Sequence, residues 1–282
     1  DDAPLMNTRF STIISEAGGT VTRLPTSSWR REPESIIFFG PPGQGKSNTC
    51  NQLATDLAHE LCRRDPTLNL TADNIRYVPN RKSEYDEGYI GQTLWQLEEL
   101  FATTNHTQST PDQDRLMSLV NTSPLILNGA SIQKKEAPAA CYLLTGTSNF
   151  GHNTVEKDIA VTNKVYAAPS ALSRRLKCRV ALVPHEPYSY SKVKRCLMRN
   201  GEPVTTNVHP SVMFRFSIRN KSGKLVSSPS GHKLWTWRQL VMHAADEYLA
   251  CQYFVPPPPG NFSDDSEEED TVEPPSDYEP YR

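Results

Sequence analysis

The chain has 282 residues, 37% of them hydrophobic, with a mean hydropathy of -0.57 and a formal net charge of -2. That length buries a sizeable core in one large domain or one domain plus an appendage, and no apolar run approaches the length that crosses a bilayer. Six cysteines without any C-x-x-C pair exclude a disulfide framework and a zinc ribbon, and free thiols in a reducing compartment are expected.

The charge is uneven. Nine of the 32 acids and one of the 30 bases fall in 256–282, so the remainder carries 23 acids against 29 bases, near +6. A mildly basic body with an acidic tail is compatible with nucleic-acid binding. The first residue is Asp1, so the chain is expected to be a piece of a longer precursor.

In chain order, residues 1–32 read as a lead-in, with Arg30-Arg31 expected in a solvated linker. Ser35–Phe39 is a short apolar run, expected as a buried strand. It enters Gly40-Pro41-Pro42-Gly43-Gln44-Gly45-Lys46-Ser47, the full G-x-x-x-x-G-K-[ST] pattern in a strand–loop–helix setting. Glycines let the backbone N–H groups curl inward around phosphate oxygens. The helix N-terminus that follows favours anions. Residues Gly40 to Ser47, with Asn48, are therefore the candidate nucleotide-binding residues. Lys46 is placed to reach the β- and γ-phosphates, and the Ser47 hydroxyl to ligate Mg. ATP and Mg are the expected cofactors.

Asn48–Arg64 is amphipathic, with Leu53, Leu57, Ala58 and Leu61 at helical spacing, and Asp65-Pro66 stops it. Asn74–Val78 reads as a second strand, Leu94–Leu97 as a short apolar stretch, and Asp112–Val120 as helical. Leu125–Ala137 reads as a hairpin or loop turning at Asn128-Gly129. Cys141–Thr147 and Cys178–Val183 are expected buried strands, with a helix opening at Pro169 between them. Strands alternating with helices behind a phosphate loop give an α/β fold with a parallel, doubly wound sheet. After Pro184 the texture changes. Val212–Ile218 alternates as an antiparallel strand, Lys221–Lys224 is a turn, and Thr236–Tyr253 a helix. The expected divisions are a core over 33–185, a small accessory subdomain over 186–255 and a disordered acidic tail over 256–282.

A phosphate-loop enzyme needs carboxylates at the end of a neighbouring strand to hold the metal and polarise water. Three pairs offer themselves: Asp112 with Asp114, Asp86 with Glu87, and Glu98 with Glu99. The last pair follows an apolar strand, although Leu-Glu-Glu-Leu is also ordinary amphipathic helix. Spacing favours Glu98 and Glu99 without closing the choice.

The stretch Lys82–Gln92 resembles the "EYWDGYxGQ" segment of the superfamily 3 helicases of picorna-like RNA viruses. In that family it runs into an apolar strand and an Asp-Asp pair, which puts Glu98 and Glu99 on the catalytic positions and Glu98 on the metal. Three further segments match in order. Ala130–Lys135 resembles a loop between two motifs, and Leu143–Asn149 an apolar strand ending in Asn. Pro169–Arg175 resembles a "P-x-A-L-x-R-R" arginine motif. Trp235–Leu240 also resembles the helix entry that follows the core.

The resemblance covers roughly 33–250 and implies a P-loop NTPase of AAA+ type. It implies Asn149 on the γ-phosphate or lytic water, where the plainer reading is a polar strand cap. Arg174 and Arg175 would serve the nucleotide of a neighbouring subunit, against a solvated basic pair at a helix end. Lys134 and Lys135 would contact RNA phosphates in a central pore, against ordinary exposed lysines. Trp95, Trp235 and Trp237 are expected in core packing rather than base stacking.

The family would also imply a ring homo-oligomer, most simply a hexamer, working with RNA and other viral replication proteins in host-cytoplasmic replication complexes. Membrane contact would come only through a segment upstream. The sequence departs from the family in Glu-Glu for Asp-Asp and in Gln96 within the apolar strand, and it has no counterpart of some relatives' cysteine-rich zinc motif. The implied function is an ATP-hydrolysing RNA helicase. The rivals are a nucleotide-binding scaffold or RNA chaperone with weak hydrolysis. A small-molecule nucleotide kinase has no use for the arginine pair.

Overall fold

A computed structural model describes residues 30–80, 83, 85–101, 114–128, 138–150, 169–205 and 207–255. The elements are β1 (Glu34–Phe39), α1 (Lys46–Arg64), α2 (Ala72–Ile75), β2 (Arg76–Tyr77), β3 (Leu94–Leu100), β4 (Leu125–Ile126), β5 (Pro138–Ala139) and β6 (Leu143–Ser148). There follow α3 (Pro169–Arg175), β7 (Cys178–Pro184), β8 (Tyr188–Ser191), β9 (Cys196–Arg199), β10 (Glu202–Pro203), α4 (Pro210–Met213), β11 (Phe214–Arg219), β12 (Leu225–Val226) and α5 (Trp237–Gln252).

One sheet runs in the order β12-β11-β7-β1-β6-β3-β2. It is parallel from β7 to β2 and antiparallel where β11 meets β7 and β12. The phosphate-loop strand β1 is therefore central, with β6 on one side and β7 on the other. Its residues Ser35 to Phe39 are all fully buried, as expected of a strand covered on both faces.

Two cores cover the two faces. On one, α1 presents Cys50, Leu53, Ala54, Leu57, Ala58 and Leu61 to β1 and α5, an i, i+3, i+4, i+7 stripe. On the other, Leu116, Leu119 and Val120 join Leu172 and Leu176 over Ile37 and Phe39. The helix α5 starts at Thr236, whose hydroxyl accepts from the Gln239 N–H while the Gln239 side chain accepts from Thr236 N. This is a capping box in which Gln takes the acidic position.

Several expectations change. Arg30-Arg31 is not a solvated linker. Arg30 is buried and donates to the carbonyls of Ser118, Leu119 and Ser123, and Arg31 pairs with Glu247 at 2.8 Å. The stretch 74–78 divides into α2, capped by Thr71, and the two-residue β2. Val212–Ile218 divides into α4 and β11, because Pro210 starts a helical turn after His209. The residues after 186 do not stand apart from the core, since β11 and β12 extend the main sheet and α5 covers its face. Trp95, Trp235 and Trp237 are buried, as expected. No helix of the described residues is long and apolar enough to cross a membrane.

Candidate nucleotide-binding site

The loop after β1 is held at both ends. Gly40 N donates to the Ser148 carbonyl at 3.2 Å, and Gly45 O accepts from Thr49 N as α1 begins. Gly45 caps α1 at φ 91°, and Gly43 stands at φ 77°; both lie in the left-handed region that L side chains resist. Gly43 is also pressed against the turn between β8 and β9. A Cβ there would come within 1.9 Å of the Arg195 carbonyl oxygen. Tyr190 of the same hairpin donates its hydroxyl to Pro42 O at 2.9 Å. Gln44 points inward and donates to Leu182 O at 2.8 Å. The loop's conformation is thus set by the hairpin, β7 and β6 together. Ser47 is exposed on the first turn of α1.

Lys46 is buried, and its ammonium donates to Gly40 O and Pro41 O at 2.7 Å and to Asn149 Oδ1 at 2.9 Å. Burial pushes its pKa down to about 8, with the Glu99 carboxylate opposing that shift. The structure therefore joins Lys46 and Asn149 directly and sets Glu99 within electrostatic reach of Lys46.

Glu98 and Glu99 close β3, next to β6 and one strand removed from β1. The pairing between β3 and β6 shifts register between Leu97 and Leu100, and Glu99 and Phe101 have φ of 49° and 65°. A bulge of this kind re-aims side chains at a strand end. Glu99 N donates to Thr147 Oγ1 at 3.0 Å, which anchors the distortion. Gln96 is fully buried, and its amide donates to Asn51 Oδ1 at 2.9 Å and to Glu98 Oε1 at 3.1 Å. The residue that interrupts the apolar strand ties Glu98 to the first turns of α1.

The competing acid pairs lie elsewhere. Asp86 forms an ion pair with Arg115 at 2.6 Å and accepts from Asn128 N, so it clamps loops together. The neighbouring Tyr89 packs with Tyr77 and Trp95 and bonds to the backbone of Ala140. The segment before β3 thus aligns that strand. Asp114 is exposed at the start of the helical residues 114–119; Asp112 lies outside the described residues, as do Lys134 and Lys135 with the loop proposed for RNA.

Arg174 and Arg175 sit at the other end of the sheet. Ser35 Oγ donates to the Arg175 carbonyl and accepts from Lys177 N, which places both arginines by the start of β1. Six residues of strand span about 20 Å, so neither side chain reaches the phosphate loop of its own chain. Arg175 is turned inward, donating to Ala171 O at 2.9 Å and Met117 O at 3.4 Å. Arg174 is exposed and makes no hydrogen bond or ion pair with the described residues. Both line an open cavity of about 600 Å³ with Glu32, Lys177 and Lys221. This cavity is at the opposite end from the phosphate loop.

Asn51, Gln96, Thr147 and the β8–β9 hairpin contact the candidate site and were not among the candidates the sequence offered. Only Gln96 left a trace there, as a polar residue inside an apolar strand.

Residues 36–150 match the family model described as RNA helicase. The chain is 28% identical over 162 residues, 57% of its length, to the genome polyprotein of avian encephalomyelitis virus (strain Van Reokel). It is 25% identical over 230 residues, 79% of its length, to that of Salivirus A. It is 27% identical over 106 residues, 38% of its length, to that of a Norwalk norovirus. These matches cover 7%, 9% and 5% of the polyproteins, so the chain spans less than a tenth of each relative. Together with the phosphate loop on its central strand, these matches make residues 36–150 similar to the RNA helicase family, and the chain similar to segments of picornavirus-like genome polyproteins, in keeping with the superfamily 3 resemblance of its motifs.

Proposed function

We propose that the protein hydrolyses ATP with Mg and couples turnover to binding or remodelling RNA in a viral replication complex of the host cytoplasm. The observation that carries this reading is the contact of Lys46 with Asn149, beside the strand that carries Glu98 and Glu99 near its end. In that arrangement Lys46 exchanges loop carbonyls for β- and γ-phosphate oxygens, and the N–H groups of Gly43 to Ser47 cradle the phosphates. The left-handed glycines and the buttressed loop fit a polyphosphate.

Ser47 and Glu98 would hold the Mg, which when bound would neutralise charge on the phosphates. Glu99 would polarise the attacking water, and the Asn149 amide would donate to that water or to the γ-phosphoryl as charge develops on it. The longer reach of Glu over Asp is accommodated by the bulge at Glu98-Glu99, and Gln96 fixes Glu98 from below. Arg174, exposed and unbound, is the better candidate than Arg175 to enter the site of the next subunit in a ring. Lys134 and Lys135 contact RNA phosphates within that ring.

The test is ATPase activity with and without RNA, for the wild type and Lys46→Ala. Wild-type turnover stimulated by RNA and lost in the variant is expected. Equal hydrolysis by the variant ends this reading. The Glu98-Glu99 pair, where the family resemblance calls for Asp-Asp, favours one alternative, a nucleotide-binding scaffold or RNA chaperone with weak hydrolysis. That reading predicts ATP binding without RNA-stimulated turnover.

A further inference from the structure

Away from the phosphate loop, three side chains from distant parts of the sequence converge between the sheet and α5. Glu34 begins β1, and Cys178 begins β7. Cys178 pairs with Ile36, so Glu34, two residues earlier on β1, projects from the same face of the sheet. The helix α5 packs on that face and brings His243 against it, with the Trp235 ring edge-on to the imidazole at 5.7 Å.

The Glu34 carboxylate, the Cys178 thiol and a His243 ring nitrogen all lie within 4.8 Å of one another. None of the three side chains makes a hydrogen bond or ion pair with the described residues. Cys178 is buried and Glu34 and His243 are half-buried, so three potential metal donors face one another at one point. Burial also pushes the Glu34 carboxyl up to about 7, Lys177 only partly opposing it.

We propose that Glu34, Cys178 and His243 bind a structural zinc ion that fastens α5 to the β1–β7 pair. Thiolate, imidazole and carboxylate in one set suit Zn²⁺ rather than Mg²⁺ or Ca²⁺, which take oxygen ligands. A tetrahedral site with bonds of about 2.0 Å to nitrogen and oxygen and about 2.3 Å to sulfur sets its donor atoms roughly 3.5 Å apart. Closing the observed cluster to that spacing takes side-chain adjustments of about 1 Å, within rotamer freedom. The fourth ligand is water or Glu247. Glu247 lies one helical turn beyond His243 on α5, and its carboxylate now faces Arg31 at 2.8 Å. On binding, the thiol and any carboxyl proton pass to solvent, and the ion is bound by the resulting anions. The ligands lie at positions 34, 178 and 243, so no short motif announces them.

The test is spectroscopic and independent of ATPase activity. The chelator-treated full chain, kept reduced, is titrated with Co²⁺ as the probe. One equivalent should bind with a thiolate-to-cobalt charge-transfer band and tetrahedral d–d bands, and Zn²⁺ should displace it. His243→Gln should weaken binding at least tenfold, and Cys178→Ser should abolish the charge-transfer band. Cobalt bound at Ser47 and the carboxylates of the phosphate site has no thiolate band, so it cannot imitate this signal. Absence of the band in the wild type at millimolar Co²⁺ overturns the proposal, as does its persistence in Cys178→Ser. If Cys178→Ser does not fold, an unchanged cobalt affinity in folded His243→Gln overturns it equally.

Discussion

Lys46 places its three ammonium protons on two loop carbonyls and on Asn149, so the lysine proposed to bind phosphate and the residue facing it are already coupled. Asn149 lies at the end of β6, where a γ-phosphate or its lytic water would sit under the proposed reading. Asn149→Ala should therefore lower kcat by about 10²-fold, the usual effect of removing one transition-state donor, while ATP affinity changes only a few-fold. Equilibrium binding of ATP beside steady-state turnover checks this, and an unchanged kcat removes Asn149 from the chemistry. Gln96 is the second informative residue. Its amide nitrogen orients Glu98, but its Oε1 is buried without a partner. Gln96→Met keeps the volume and removes both. Stability should change by less than about 1.5 kcal/mol, as for other volume-conserving core changes. Turnover should fall roughly 10- to 100-fold because the carboxylate loses its orienting donor. A thermal melt and a kcat measurement on one preparation separate the two effects, and full activity would show that Glu98 needs no such support.

The elements carry the stability predictions and show what the sequence disclosed. Arg30 joins the lead-in to the backbone at 118–123 through three carbonyls. Arg30→Met should cost about 2–3 kcal/mol, because those buried carbonyls lose a charged donor. A urea midpoint unchanged from the wild type would contradict this. The solvated reading failed there because a basic pair before a strand carries no local sign that its partners lie some ninety residues on.

At the end of α1, Glu60 accepts from Arg63 and Arg64, which hold its carboxyl down at about 2. The folded value is below the unfolded one, so the stabilisation is present above about pH 4.5 and fades as pH falls toward 2. The pairs lie at the surface, with Arg63 exposed, so solvent screening limits the effect to about 0.5–1 kcal/mol. The melting difference between wild type and Glu60→Gln should shrink between pH 6 and pH 3, and a constant difference would assign it to something other than charge. The phosphate loop and α1 were legible because their signals are contiguous. The β8–β9 hairpin was not: its turn uses Arg195 at φ 51° where a glycine would have marked it. The bulge at Glu98-Glu99 was hidden for a related reason, since it comes from pairing with β6, about fifty residues away.

At the scale of the whole molecule, the sheet sets the phosphate-loop motif and the arginine pair apart at opposite ends. The phosphate loop lies at the exit of β1 and Arg174 near its entrance, about 20 Å away along a rigid central strand. Strand order made this separation inevitable once the arginine motif preceded β7, and no spacing in the sequence could show it without the parallel register. If Arg174 serves a site, that site belongs to another copy of the chain, and the interface is head-to-tail rather than self-complementary. Mixing two inactive variants tests this directly. Lys46→Ala lacks a competent loop but offers Arg174, and Arg174→Ala offers the loop without the arginine. In a randomly mixed ring of head-to-tail contacts, about one interface in four unites an intact loop with an intact arginine. The mixture should therefore recover about a quarter of wild-type ATPase, against nearly none for each variant alone. Arg175→Ala should behave differently. Its side chain bonds to Ala171 and Met117 within its own chain, so its loss should lower the melting temperature and should not be rescued by mixing. Activity of the first mixture no greater than the sum of its parts would return Arg174 to the role of a solvated surface charge.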